Sequence, residues 1–310
     1  MDNPVKAFGP ATVANVGLGF DFMGFAVDGL GDLVEVSISR EGCNLIRTSG
    51  SYGQLIPAEP EKNTAGVACS AMLRSAGLSD VRFEISIEKR LPLGSGMGSS
   101  ASSAVAALMA LNRQLGDIFT PEQLIPFAME GEKAACGTAH ADNVAPSLLG
   151  GFVIIRSNNP LDIIRIQCPE DLYCGLLHPQ VELRTADARR VLKREIPLSD
   201  VTRQCANVAS FITGLFNHDY DLIGRSMHDI VAEPKRQQLI PGYSVAREAA
   251  LGAGAITFGI SGSGPSLFAL CRGKDNAAKI VSMMKDAMSF KGIDSDVYVT
   301  SLNAGGAAVI

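Results

Sequence analysis

Apolar and polar positions along this chain change period several times, and each change predicts an element. Residues 33–39, Leu-Val-Glu-Val-Ser-Ile-Ser, alternate as a half-buried strand does, and residues 81–87 repeat the pattern. Between them, residues 63–76 read as a helix with small residues on its buried face. A second helix runs to about Gly116. Thr120-Pro-Glu-Gln123 then starts a third, with a Thr cap, Pro at the first position and Gln three places on, reaching Ala135. Residues 150–155 read as a strand. Arg156-Ser-Asn-Asn-Pro160 reads as a turn, with a domain boundary near it.

In the second half, residues 172–177 predict a strand, and 185–194, 200–216 and 222–232 predict helices. Residues 255–260 and 267–271 predict strands joined by the tight Ser261-Gly-Ser-Gly-Pro265. A helix over 276–290 and a strand over 296–302 complete the pattern. Helices mixed with antiparallel-looking strands predict an α+β chain in two domains, 1–160 and 161–310.

One stretch breaks both periods. Leu91-Pro-Leu-Gly-Ser-Gly-Met-Gly-Ser-Ser-Ala-Ser-Ser103 alternates three glycines with other residues, carries five serines from Ser95 on, and runs into the apolar Ala104-Val-Ala-Ala-Leu-Met-Ala-Leu111. A glycine-rich loop opening a helix offers unhindered N–H groups and a positive dipole end, which suits phosphate. Close packing of small residues is the competing reading. A P-loop is excluded, because Ser99-Ser100 follow Gly98 where Lys-Ser/Thr is required. A dinucleotide loop is excluded because Ser99 stands where its third glycine belongs. The protein-kinase loop fails on the same spacing and on the lack of His-Arg-Asp.

Composition narrows the classes further. The 310 residues are 46% hydrophobic and 19% charged, enough for one large or two medium globular domains. A net charge of −5, with no run of Lys or Arg, argues against sequence-independent nucleic-acid binding. The 7 cysteines (43, 69, 136, 168, 174, 205 and 271) are odd in number and include no Cys-x-x-Cys, so they predict reduced thiols rather than a disulfide frame or zinc site. Met1-Asp-Asn-Pro-Val-Lys lacks the features of a signal peptide, and the apolar runs fall short of a membrane span. A cytoplasmic location is expected, with no nucleic-acid or membrane partner.

Three separated segments resemble one family. They are Pro10-Ala-Thr-Val-Ala-Asn-Val-Gly-Leu-Gly-Phe-Asp21, Pro92-Leu-Gly-Ser-Gly-Met-Gly-Ser-Ser-Ala101 and Gly259-Ile-Ser-Gly-Ser-Gly-Pro-Ser266. In this order they are similar to the three motifs of the GHMP kinases, and Pro-x-x-x-Gly-x-Gly-Ser-Ser-Ala is specific to that superfamily. Leu18 stands where Pro is common and Met97 where Leu is common, both apolar exchanges. The homoserine kinase branch is indicated by His140-Ala-Asp-Asn-Val-Ala-Pro146 with Gly150-Gly, by His178-Pro-Gln-Val-Glu-Leu-Arg-Thr185 with Ala188-Arg189, and by Glu233-Pro-Lys-Arg236 with Leu239-Ile-Pro241. The resemblance covers nearly the full length.

It implies a GHMP kinase fold: an N-terminal domain like ribosomal protein S5 domain 2 and a C-terminal ferredoxin-like domain, with ATP and acceptor meeting between them. It implies ATP and Mg²⁺, L-homoserine as acceptor with O-phospho-L-homoserine as product on the route to threonine, and a possible homodimer. Pro92, Gly94, Ser95, Gly96, Met97, Gly98, Ser99, Ser100 and Ala101 take the phosphates, and Asn63 and Thr64 lie by the adenine. Ser100 and Glu132 are placed at the metal. Read without the resemblance, Glu132 belongs to a solvated helix face beside Glu130 and Lys133.

For the acceptor, the resemblance carries over Asn15, Asp21, His140, Asn143, Thr185, Arg189 and Arg236. The two arginines suit an α-carboxylate, Asp21 the ammonium and Asn143 the reacting hydroxyl, so Asp21 and Asn143 are the expected catalytic residues. Read alone, Arg189 is a surface arginine beside Arg190, Lys193 and Arg194, and Asn15 and Asp21 stabilise a glycine-rich turn. The Asp–Lys pair that some GHMP kinases use has no clear counterpart, although Lys6 precedes Pro10. Catalysis by positioning and electrostatics is therefore expected. Alternatives are a GHMP kinase for mevalonate, phosphomevalonate or shikimate, and a non-catalytic sensor of this fold.

Overall fold

The computed structural model describes residues 3–137, 140–193 and 195–310. Val5–Ala14 (β1), Met23–Ser39 (β2), Leu45–Ser49 (β3), Arg82–Glu88 (β4), Phe152–Asn158 (β5) and Leu161–Ile166 (β6) belong to one sheet. Leu172–Pro179 (β7), Thr257–Ile260 (β8), Leu267–Arg272 (β9) and Ser295–Ser301 (β10) form a second, in the order β10-β7-β9-β8. The final strand, Ala308–Val309 (β11), returns to the first sheet beside β1. Among the described residues, β3 and β4 pair in parallel and the other ladders are antiparallel.

Thr64–Ser75 (α1), Ser99–Gln114 (α2), Pro121–Cys136 (α3) and Ala141–Leu149 (α4) accompany the first sheet. Thr185–Arg190 (α5), Leu198–Asn217 (α6), Tyr220–Ser226 (α7), Glu233–Arg236 (α8), Tyr243–Gly252 (α9) and Lys274–Phe290 (α10) belong to the second half. α3 starts as expected: Thr120 and Gln123 form a reciprocal capping box with Pro121 behind the cap.

One core lies between α1–α4 and the first sheet, around Met72, Phe83, Ile85 and Leu108. Another packs the second sheet against α9 and α10, around Leu177, Ile280 and Met284. Between them, Phe25, Phe152, Phe211 and Phe268 fill a third, with Phe25 and Phe152 stacked at 6.2 Å. Each such ring contributes about 1.5–3 kcal/mol when buried. This middle core fixes the β1–β2 segment against the β8–β9 segment, and so positions the first motif against the third.

The pattern misread several boundaries. The helix expected over 222–232 ends at Ser226. Asp229 stops it, because its carboxylate collects the N–H groups of Val231, Ala232 and Glu233 and offers the backbone a local alternative to helix. The helix expected over 185–194 ends at Arg190, and Arg194 lies outside the described residues. The turn expected over 156–160 is narrower, since β5 runs to Asn158 and turns into β6 at Asn159-Pro160. β1, α4 and α9 are not evident in the periodicity. Cys69, Cys168, Cys174 and Cys271 are buried thiols and Cys43 and Cys205 exposed ones, while the side chain of Cys136 lies outside the description. No helix among the described residues is long and apolar enough to cross a membrane.

Candidate active site

The glycine-rich loop owes its shape to three left-handed residues: Gly94, Gly96 and Gly98 have φ of 62°, 75° and 66°. Space enforces the same choice. A Cβ on Gly96 would lie 2.4 Å from the Ser261 carbonyl oxygen, and one on Gly98 2.2 Å from the Thr12 hydroxyl. Gly98 caps α2 without any side-chain partner for the helix N–H groups. Three successive carbonyls of the loop are tied down from outside. Ser266 donates to the Ser95 oxygen from both its N–H (3.2 Å) and its hydroxyl (2.6 Å). The Ser261 hydroxyl donates to Gly96 at 2.7 Å, and the Thr12 N–H to Met97 at 3.0 Å. The Met97 N–H donates to the Ser95 hydroxyl at 3.3 Å. A trans peptide points N–H opposite to C=O, so the N–H groups of Gly96 and Gly98 face away from the Ser266 and Thr12 donors. Together with the open end of α2 they form an anion cradle.

The first motif closes on the same turn. Asn15 donates to the Gly262 carbonyl at 2.8 Å and accepts from the Asp21 N–H at 2.8 Å. Asn15, Val16 and Asp21 all have positive φ (63°, 45° and 61°), a cost the packing imposes at this site. Arg189 grips Asp21 with both terminal nitrogens, at 2.8 and 3.1 Å. It also stands 3.0 Å from His140 Nε2. A guanidinium only donates, so His140 Nε2 accepts and the ring proton sits on Nδ1, 3.7 Å from Asp21. Burial lowers the His140 pKa and Arg189 adds to this, while Asp21 opposes it. Arg236 is 3% exposed and donates to Gly262 at 2.9 Å. Both guanidinium groups pack on the Phe20 ring, Arg189 at 5.6 Å and Arg236 at 5.1 Å. Two cations thus converge beside one carboxylate, and the repulsion from Arg189 adds to burial in lowering the Arg236 pKa.

Glu132 is buried on α3 rather than solvated. Its Oε1 has no hydrogen-bond partner, the Ser100 hydroxyl interacts with its carboxylate, and burial raises its pKa against the pull of Ser100 and Lys89. The Ser99 hydroxyl is engaged elsewhere, on the Leu91 carbonyl. Asn143 accepts from the Thr12 hydroxyl at 2.7 Å through Oδ1, which commits its amide NH₂ to donation.

Sequence reasoning missed three groups. Phe20 is the surface on which the arginines lie. Lys89 is 1% exposed and bonds Asp32, the Ser103 hydroxyl and the Ser99 carbonyl, pinning the first turn of α2. Asp142, also buried, has an unpartnered Oδ1 and a pKa raised to about 7 by burial first and Asp21 second. The remaining expected positions are also defined. Thr185 opens α5, 3.3 Å from the Ser263 hydroxyl. Pro92 is half-buried at the loop entrance and Ala101 fully buried in α2. Asn63 is a helix cap: its side-chain oxygen accepts from the Ala65 N–H and its NH₂ donates to the Pro57 carbonyl. Thr64 donates to the Ser100 carbonyl at 3.3 Å.

The chain matches the family model described as "GHMP kinases N terminal domain" over residues 63–151 and "GHMP kinases C terminal" over 211–289. It is 46% identical to a homoserine kinase of Chlorobaculum tepidum, covering 99% of this chain and 98% of that protein. A homoserine kinase of Xylella fastidiosa is 38% identical, over 98% and 94%. The crystal structure of homoserine kinase from Cytophaga hutchinsonii superimposes with a TM-score of 0.96 at 46% identity, covering 100% of this chain and 98% of that one. An L. major mevalonate kinase complex, at 19% identity and a TM-score of 0.72, shares the fold. The expected GHMP kinase architecture is therefore present, and this chain belongs to the homoserine kinase family of the GHMP kinases.

Proposed function

We propose that this chain transfers the γ-phosphoryl group of ATP to the terminal hydroxyl of L-homoserine, forming O-phospho-L-homoserine and ADP on the route to threonine. The observation that carries this reading is the grouping of Arg189, Arg236 and Asp21 around Phe20, joined through Gly262 to the phosphate cradle. Two guanidinium groups suit an α-carboxylate and Asp21 an α-ammonium. An acceptor without an ammonium brings no cation of its own to Asp21, which then has Arg189 as in the free protein.

The loop N–H groups from Gly94 to Ala101 hold the triphosphate, with the adenine end beside the start of α1 near Asn63. Mg²⁺ fits Ser100 and Glu132: a hydroxyl and a buried carboxylate oxygen that lacks a partner match its preference for a few hard oxygens. When bound, the ion neutralises phosphate charge. His140 and Thr185 border the amino acid. The Asn143 amide donates to the reacting hydroxyl and holds it in line. Because Oδ1 of Asn143 is occupied by Thr12, that side chain does not take the proton, which leaves with phosphate or to solvent.

A cytoplasmic location and a homodimer belong to the same reading, the latter tested by light scattering. The functional test is ADP release with Mg-ATP against homoserine, mevalonate, phosphomevalonate and shikimate. Turnover confined to homoserine is expected. Turnover with mevalonate and none with homoserine overturns the reading.

A further inference from the structure

The segment beginning at His178 marks the family, yet nothing in the reaction above uses His178 itself. It is the penultimate residue of β7, and the β7–β9 ladder pairs Leu177 with Leu267, which brings His178 across from Ser266. His178 Nδ1 lies 3.0 Å from the Ser266 hydroxyl, and both residues are buried, at 3% and 0% exposure. The Ser266 hydroxyl in turn lies 2.6 Å from the Ser95 carbonyl oxygen.

The direction of this chain follows from what each atom can do. A carbonyl oxygen only accepts, so the single Ser266 hydroxyl proton is committed to Ser95. Ser266 Oγ must then accept from His178, which places the ring proton on Nδ1. Burial lowers the His178 pKa, with Asp296 opposing, and a neutral ring with its proton on Nδ1 satisfies the pair. A proton already held in one orientation by His178 gives a stronger, better-directed bond to the loop than a hydroxyl free to rotate. The Ser95 carbonyl and the Gly96 N–H belong to one rigid peptide, so fixing the first aims the second.

We propose that His178 is a positioning residue for the nucleotide: through Ser266 it holds the Ser95–Gly96 peptide with its N–H turned into the phosphate cradle. This rests on the kinase reading, but on its ATP half alone. The test is titration of the full-length protein with Mg-ATP in the absence of any acceptor, so it stands whether or not homoserine is the substrate. His178→Leu removes the donor. His178→Asn places an amide N–H at the same bond count from the backbone as Nδ1 and keeps it. His178→Leu is expected to weaken Mg-ATP about tenfold, the equivalent of one buried hydrogen bond, and His178→Asn to stay near wild type. Ser266→Ala should match His178→Leu, and the double variant Ser266→Ala with His178→Leu should be no weaker than Ser266→Ala alone. In turnover assays at saturating ATP the homoserine KM should not move. Equal losses for His178→Leu and His178→Asn, or additive losses in the double variant, overturn the proposal in favour of plain packing. Wild-type ATP affinity in His178→Leu overturns it outright.

Discussion

Arg189 and Asp21 meet in a two-pronged ion pair, at 2.8 and 3.1 Å, across 168 residues of chain. One comes from the first helix after β7, the other from the loop between β1 and β2. Their partnership joins the two halves of the acceptor site. Replacing Arg189 with Ala should raise the homoserine KM roughly thirtyfold or more, since truncating one member of such a charge pair costs about 2 kcal/mol at least. The ATP KM should stay close to wild type, because no loop carbonyl or N–H depends on Arg189. Steady-state kinetics with each substrate varied in turn checks this. An equal rise in both KM values would contradict the division of the site.

Asn143 acts on turnover. Its Oδ1 is held by Thr12, so only its NH₂ remains for the acceptor. Asn143→Ala should lower kcat on the order of 10²-fold, as loss of one preorganised donor does. A variant with unchanged kcat and only a raised homoserine KM would limit Asn143 to binding.

The Lys89–Asp32 pair is fully buried, and Asp32 also accepts from the Arg90 and Leu91 N–H groups and the Ser103 hydroxyl. Lys89→Met leaves that carboxylate without its cation and should cost about 3–5 kcal/mol. Adding Asp32→Asn removes the stranded charge and should restore part of the loss. Urea denaturation of the single and double variants measures both. A single variant as stable as the wild type would show that the neighbouring donors suffice for Asp32.

Asp142 makes stability depend on pH. Its pKa is raised from 3.8 to about 7, so between those values the folded protein holds a proton that the unfolded chain releases. Stability from this group is therefore present at low pH and falls as pH rises through the window. Glu233, raised to about 7 by burial first, contributes a slope of the same sign. Asp142→Asn should raise the melting temperature of the ligand-free protein relative to wild type by an amount that grows between about pH 4 and pH 7 and levels off by about pH 8. A difference independent of pH would show that Asp142 does not titrate in this window.

The sequence by itself determined whatever depends on neighbours along the chain. The glycines of the loop are legible because only they accept positive φ where the backbone turns back on its carbonyl partners. The strand alternation of residues 33–39 and the capping box of Thr120 and Gln123 are local as well, and the structure keeps both. The triphosphate side of the site is a loop and a helix start, so it could be read directly. The acceptor side could not be read that way. Phe20 became the seat of two arginines, and His178 became the partner of Ser266, only because the middle core of phenylalanines sets one sheet against the other. The helix expected through Ala232 was lost to the Asp229 carboxylate. Periodicity reports which face of an element is buried. It carries no information about which distant element arrives on that face, and there the packing of the two sheets decided.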